Sequence, residues 1–394
     1  MKSRLTAFLI CLLPLLGLAA CQPQGEEPQA PAPITSLNRT MLALDMFSGT
    51  GDQNRGAAAT VEPLVQQCLV GLLPASDATS DWTLVWGPMV WAPYVGAYDL
   101  EMMYAVQSKT NKNQIAVVIR GTNQFSEDDW ALDFSIKPVA WPYPTDAPPA
   151  GVLVAKGLLE DLQLLVGHAP KAATVPGYGQ TIEKFIATQI ASLPANTSLK
   201  VAVTGHSKGG GLSPMLAQYF YDNHLSSLHN DWQGKVILSV YAFAGQTPGN
   251  TAFKGLYESS FASQIALRFH QPYDPVPYAW NTETIAELSD LYAPTIHPDT
   301  SEMNLINSAI AEAQGKDYQQ LGSDVPVAGV LNTAFSDWTD EAVWQHICGY
   351  KCQFNLVEGF PPVPRLCPPP IVATPPAKNA DPFTCPPCPT PPAK

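Results

Sequence analysis

The sequence predicts an α/β fold, a mostly parallel central sheet flanked by helices, and three observations carry that expectation. Apolar, strand-like runs alternate with helical stretches between residues 97 and 269. The pentapeptide Gly205-His206-Ser207-Lys208-Gly209 lies between an apolar run (Val201-Ala202-Val203) and a Gly-rich helical stretch, a strand–turn–helix context. The chain has 394 residues, 46% of them hydrophobic and 14% charged, enough for a sizeable buried core.

The elements follow in order. Lys2 and Arg4 precede an apolar run from Leu5 to Leu18, then Ala19-Ala20-Cys21. Residues 1–20 resemble a bacterial lipoprotein signal, with small residues before a cysteine that is cleaved at and lipidated. The ordinary alternative is a plain secretory signal, in which Cys21 is one more thiol. By resemblance to Gram-negative lipoproteins, Gln22 in place of Asp favours the outer membrane. The lipidated Cys21 and the Pro-rich residues after it, to residue 37, read as a flexible tether, and residues 38–360 as the folded domain.

Within that domain, residues 38–72 carry a helical pattern. Leu100–Gln107 and Ile115–Ile119 read as a hairpin across the polar turn 108–113. Helices are expected over Val152–Gly167, Gln180–Leu193 and Gly210–Asn223, and strands over Leu199–Thr204, Lys235–Phe243 and Ile265–Phe269. Residues 281–335 break this rhythm and read as an inserted, partly helical lid or cap excursion. From Pro361 onward, 14 of 34 residues are proline, so residues 361–394 cannot build helix or sheet and should be disordered or loosely stapled by cysteines.

Composition narrows the function classes. A net charge of −13 opposes nucleic-acid binding, which needs clustered Lys and Arg. After Cys11 and Cys21, six cysteines remain (Cys68, Cys348, Cys352, Cys367, Cys385, Cys388), an even number that suggests disulfides in an exported protein. The Cys385-x-x-Cys388 spacing is that of redox or zinc sites, but no second ligand pair is near, which favours a structural pair.

The chemistry centres on Ser207. A serine needs a base, an orienting acid and oxyanion donors before it can act as a nucleophile. Asp274 follows the strand that comes two places after the elbow strand, so its carboxylate emerges on the same sheet edge; the alternative is a turn aspartate in Asp-Pro. His346, near the end of the folded portion, is the candidate base, with His270 and His297 as rivals. His206 lies inside the elbow and is expected to point away from Ser207. The oxyanion donors are assigned to the N–H of Lys208 and to Thr122, through its N–H and its hydroxyl. No metal or organic cofactor is required.

Four pieces in order resemble the class 3 lipases, the fungal-lipase-like α/β-hydrolases. Val117-Val118-Ile119-Arg120-Gly121-Thr122 with Asp129-Trp130-Ala131-Leu132-Asp133-Phe134 is similar to the oxyanion strand and its following segment, and Gly205–Gly210 to the elbow. Ala242–Asn250 resembles the next strand end, and Asp274-Pro275-Val276-Pro277 the acid's turn. The resemblance runs from about Ala97 to Tyr350. It implies an α/β-hydrolase fold, a Ser207–Asp274–His346 triad, an oxyanion hole at Thr122 and Lys208, and a lipid or ester substrate. The chain departs from the pattern at Lys208, where leucine is usual, and at Ala155-Lys156-Gly157-Leu158.

The expected function is therefore a lipid-anchored serine hydrolase acting on acylglycerols, with phospholipase A, short-chain esterase or a non-catalytic binding lipoprotein as alternatives. The acidic charge opposes anionic phospholipid surfaces and favours neutral esters. Two segments are candidate covers for an acyl groove: the aromatic and acidic stretch from Phe125 to Tyr143, and the excursion.

Overall fold

A computed structural model describes residues 34–356 together with Cys385 and Cys388. The signal, Cys21, most of the tether and the Pro-rich tail apart from those two cysteines lie outside the described residues.

Two helices open the fold, α1 (Ser36–Phe47), capped by the Thr35 hydroxyl, and α2 (Ala58–Ala75). The last residues assigned to the tether thus begin a helix. The single helical pattern of residues 38–72 is broken by the turn-forming Ser48-Gly49-Thr50-Gly51-Asp52. Strands β1 (Trp82–Trp91), β2 (Glu101–Ser108) and β3 (Gln114–Ile119) follow as an antiparallel set. Then come α3 (Glu127–Asp133), the short strands β4 (Pro138–Ala140) and β5 (Leu153–Ala155), and helices α4 (Lys156–Gly167) and α5 (Ile182–Ala191).

The central unit is β6 (Leu199–His206), α6 (Lys208–His224) and β7 (Val236–Phe243), continued by β8 (Gly249–Asn250), α7 (Thr251–Ser260) and β9 (Ile265–His270). Beyond it lie α8 (Thr300–Ala313), β10 (Tyr318–Gln319), β11 (Ser323–Pro326), α9 (Trp338–Trp344), a π-helical turn Gln345–Gly349 and α10 (Tyr350–Gln353). Seven strands form one sheet in the order β1-β2-β3-β6-β7-β9-β11, parallel from β3 onward, and β10-β8-β5-β4 form a second, antiparallel sheet.

Side-chain alternation builds two cores, one on each face of the large sheet. In β3, Ile115, Val117 and Ile119 pack into one core while Ala116 and Val118 enter the other. In β7, Leu238, Val240 and Ala242 face the first and Tyr241 and Phe243 the second. Helix α6 covers the first face, and α1 and α2 cover the second.

Two strands of this sheet go beyond the sequence expectation. β1 carries Gly87 and Pro88 at a register irregularity, which an edge strand tolerates and a central one does not. The excursion 281–335 is more than a cap, because its β11 pairs parallel with β9 as the opposite edge, again ending in a proline. Among the described residues no helix is long and apolar enough to cross a membrane.

Candidate active site

Strand β6 delivers Ser207 at its carboxyl end, and the next residue begins α6. Ser207 has φ 62° and ψ −127°, a strained backbone that lifts its hydroxyl off the sheet. Such a turn tolerates no bulk at its flanks. A Cβ on Gly205 would overlap the Gly209 backbone, and one on Gly209 would overlap the Ile119 carbonyl of the neighbouring strand.

Three residues distant in sequence meet here. Ser207 Oγ lies 2.8 Å from His346 Nε2, and His346 Nδ1 lies 2.9 and 3.1 Å from the two oxygens of Asp274. Asp274 is fully buried, follows β9, and also accepts the Val276 N–H at 3.0 Å. The carboxylate can only accept, so it takes the Nδ1 proton and leaves Nε2 free to accept from Ser207. This arrangement can move a proton from serine to imidazole while the acid stabilises the charged ring.

The rival histidines lie elsewhere. His270 Nδ1 is 3.3 Å from Arg268 Nη1, and burial pushes it down to about 4, with Arg268 adding to the effect. His297 is exposed in the segment before α8.

His206 departs from expectation. Its ring turns toward the site, packing 4.6 Å from the His346 ring and donating from Nε2 to the His346 carbonyl at 2.8 Å. Burial holds His206 well below the usual histidine value, and a charge on the neighbouring His346 ring would lower it further. A histidine inside a G-H-S-x-G turn was the available signal, but its direction depended on where the His346 helix docks.

The helix that carries His346 is fixed from several sides. The π-helical turn begins at Gln345, whose carbonyl accepts from the Gln271 side chain and whose amide donates to the Val330 carbonyl at 2.9 Å. Cys348 and Cys352 form disulfides with Cys385 and Cys388, and Cys68 is also disulfide-bonded. The C-x-x-C pair is structural: Cys385 is joined to the π-helical turn that carries His346 and Cys388 to α10 just after it.

On the oxyanion side, Lys208 is the first residue of α6, where backbone N–H groups have no partner in a preceding turn. Thr122 sits beyond β3, but its hydroxyl donates to Asp133 Oδ2 at 2.6 Å. The expected second use of that hydroxyl is corrected for the ionised form of Asp133: its proton is then engaged by the carboxylate, and the N–H is what Thr122 has to offer. Burial pushes Asp133 up to about 7, against the pull of Lys208.

The Lys208 side chain runs into the interior. Its Nζ is fully buried and donates to the Leu100 carbonyl at 3.0 Å, to Glu101 Oε1 at 2.6 Å and to Asp129 Oδ1. Burial would lower this lysine, yet Asp129, Asp161 and Glu101 hold it well above its ordinary value. Glu101, Asp129 and Asp161 are spaced as cation ligands, and the Lys208 ammonium is the cation among them.

Ser207 opens into a cavity of about 530 Å³, which is mainly apolar away from the catalytic edge. Both segments singled out as covers line it. Trp130 and Phe134 come from α3 and its C-cap, Leu305 and Ile306 from α8, and Val343 from α9. Trp130, Phe134, Leu305 and Val343 are 48%, 47%, 57% and 56% exposed, an apolar rim facing solvent at the mouth.

The order of strands, the elbow at the end of β6 and the flanking helices define an α/β-hydrolase. The family model for lipase (class 3) matches residues 116–283, which include Thr122, Ser207 and Asp274 but not His346. The crystal structure of M37 lipase superposes with a TM-score of 0.71 at 30% identity, covering 82% of this chain and 94% of that one. The chain belongs to the class 3 lipase family. It is 28% identical over 145 residues to a lipase of Rhizomucor miehei, covering 37% of this chain and 32% of that protein. It is 29% identical over 192 residues to the chloroplastic phospholipase A1-Igamma2 of Arabidopsis thaliana, covering 46% of this chain and 34% of that protein. The matches thus span about a third of the length of these two relatives.

Proposed function

We propose that the chain hydrolyses carboxylic ester bonds of lipids, with triacylglycerols as the favoured substrate. The observation that carries this reading is the continuous hydrogen-bonded chain Ser207–His346–Asp274 at the edge of an apolar cavity. Ser207 Oγ attacks the ester carbonyl as His346 Nε2 takes its proton, and the N–H groups of Lys208 and Thr122 receive the developing oxyanion. Collapse expels the alcohol, which takes the proton from His346. Water then repeats the sequence on the acyl-enzyme and releases the fatty acid. Asp274 keeps the imidazole in the required tautomer and stabilises its charged form.

The net charge of −13 opposes approach to anionic phospholipid surfaces, which favours a neutral ester over an anionic phospholipid. Phospholipase A and short-chain esterase activity are the alternative outcomes of the same chemistry. The test is a fluorophosphonate label together with release of fatty acid from emulsified triolein, phosphatidylcholine vesicles and a monomeric short-chain ester. Labelling that is absent from wild type, or equal on Ser207→Ala, defeats the hydrolase reading. Preferred turnover of phosphatidylcholine replaces triacylglycerol by phospholipid.

We also propose export and lipid anchoring at Cys21, probed by acylation and membrane fractionation of Cys21→Ser. The signal-like first 20 residues and the disulfides at Cys348 and Cys352, which suit an oxidising compartment, support this. Unchanged fractionation and no loss of acylation in the variant would overturn it.

A further inference from the structure

Where leucine is usual after the elbow serine, this chain buries an ammonium. Taking a lysine out of water costs several kcal/mol even after relaxation, so its partners must offset that cost. They do so in a specific pattern. All three ammonium protons are directed at acceptors: the Leu100 carbonyl, Glu101 and Asp129. Asp129 is fully buried and uses both oxygens. Oδ1 accepts from Lys208, and Oδ2 accepts the Asn123 backbone N–H at 2.6 Å.

Asn123 is the residue after Thr122. One carboxylate therefore joins the side chain of the residue whose N–H follows Ser207 to the backbone of the opposite oxyanion loop. That loop is fixed further by the Asn123 amide, which donates to Asp99 Oδ1 at 2.8 Å and to the Asp52 carbonyl at 3.2 Å. Asp129 is itself held by α3, where the Ser126 hydroxyl caps its N–H at 3.2 Å.

We propose that Lys208 and Asp129 are positioning residues that clamp the two halves of the oxyanion hole together. The clamp sets the separation between the Lys208 and Thr122 N–H groups, which a leucine at position 208 would leave to packing alone. Glu101 and Asp161 complete the charge balance. Burial raises each of them, and the Lys208 ammonium beside them pulls both back down. The inference rests on the ester-hydrolase reading above.

The experiment compares Asp129→Asn, Lys208→Met and the double variant with wild type on a soluble ester. Asp129→Asn keeps an acceptor for the Asn123 N–H while removing the charge that grips Lys208. Misplacing a catalytic group by about 1 Å costs on the order of a hundredfold, so each single variant should lose about ten- to hundredfold in kcat with KM within about twofold. The double variant should be no worse than the poorer single one, because both remove one connection. Affinity for an alkyl boronic acid, whose tetrahedral adduct occupies the oxyanion site, should fall in parallel with kcat.

Wild-type kcat in folded single variants, losses that multiply in the double variant, or a loss carried by KM with boronate affinity intact would each overturn the clamp. If Lys208→Met does not fold, the combined Glu101→Gln, Asp129→Asn and Lys208→Leu variant, which removes the ions as a set, decides instead. Wild-type kcat in that variant refutes the clamp, and a kcat-specific loss supports it. A wild-type protein that neither labels with fluorophosphonate nor cleaves esters refutes the underlying reading and is distinguishable from all of these.

Discussion

His206 donates its Nε2 proton to the backbone carbonyl of His346 at 2.8 Å, so the residue before Ser207 holds the residue that hydrogen-bonds Ser207. The contact links two neighbours of the elbow that are 140 residues apart in sequence. It fixes the backbone of His346 while the side chain is fixed separately by Asp274.

Replacing His206 by Phe keeps the ring packing and removes the donor. A hydrogen bond of this kind is worth about 1 kcal/mol, so kcat on a soluble ester should fall about fivefold with little change in KM. Steady-state kinetics of the purified variant check this. An unchanged kcat would show that packing alone holds His346.

The base assignment predicts a large asymmetry among histidines. His346→Ala should lower kcat by about three orders of magnitude or more, as removal of one member of a Ser–His–Asp unit does. His297→Ala, an exposed residue away from the cavity, should retain wild-type turnover. Parallel assays of the two settle the assignment.

The tail cysteines predict a coupling of stability to activity. Cys348 lies two residues beyond His346, and its disulfide with Cys385 closes 37 residues, while that of Cys352 with Cys388 closes 36. Each disulfide should contribute about 2–4 kcal/mol, so the Cys385→Ser, Cys388→Ser variant should unfold at markedly lower denaturant than wild type. Its turnover should fall with reduction of these bonds rather than with loss of the tail alone.

The rim of the cavity predicts a dependence on the physical state of the substrate. Trp130→Ala and Leu305→Ala each remove exposed apolar surface at the mouth, leaving Ser207, His346 and Asp274 untouched. Turnover of emulsified ester should fall several-fold more than turnover of a monomeric one, measured side by side.

Asp133 predicts a pH dependence of stability. The folded chain keeps its proton up to about pH 7, whereas an exposed aspartate releases it near 3.8. Folding takes up a proton between those values, so the stability this group contributes falls as pH rises through the window, by up to about 1.4 kcal/mol per pH unit. Asp52 shifts in the same direction, also to about 7. Urea unfolding at pH 5 and pH 7 should show a drop that Asp133→Asn makes shallower; an identical drop in the variant would rule Asp133 out as its source.

Much of the site was legible because its constraints are local. Gly205 and Gly209 flank a serine whose turn leaves no room for a Cβ, and that steric demand is written into five consecutive residues. Asp274 could be placed because a residue just after a parallel strand emerges on a known edge of the sheet. The continuous apolar run of β3 announced a strand buried on both faces.

What the sequence by itself determined was the alternation of central strands and helices and the elbow, because these follow from periodicity and from sterics among near neighbours. Asp274 and His346 were candidates by their place after the elbow and by family resemblance. Only the tertiary structure decided that Lys208 is buried among carboxylates, that the Thr122 hydroxyl turns to Asp133, that His206 faces His346 and that β11 closes the sheet. Those outcomes depend on which distant groups share a low-dielectric interior and on which edge strand finds a partner. A charged side chain or a short polar strand carries no local signal of either.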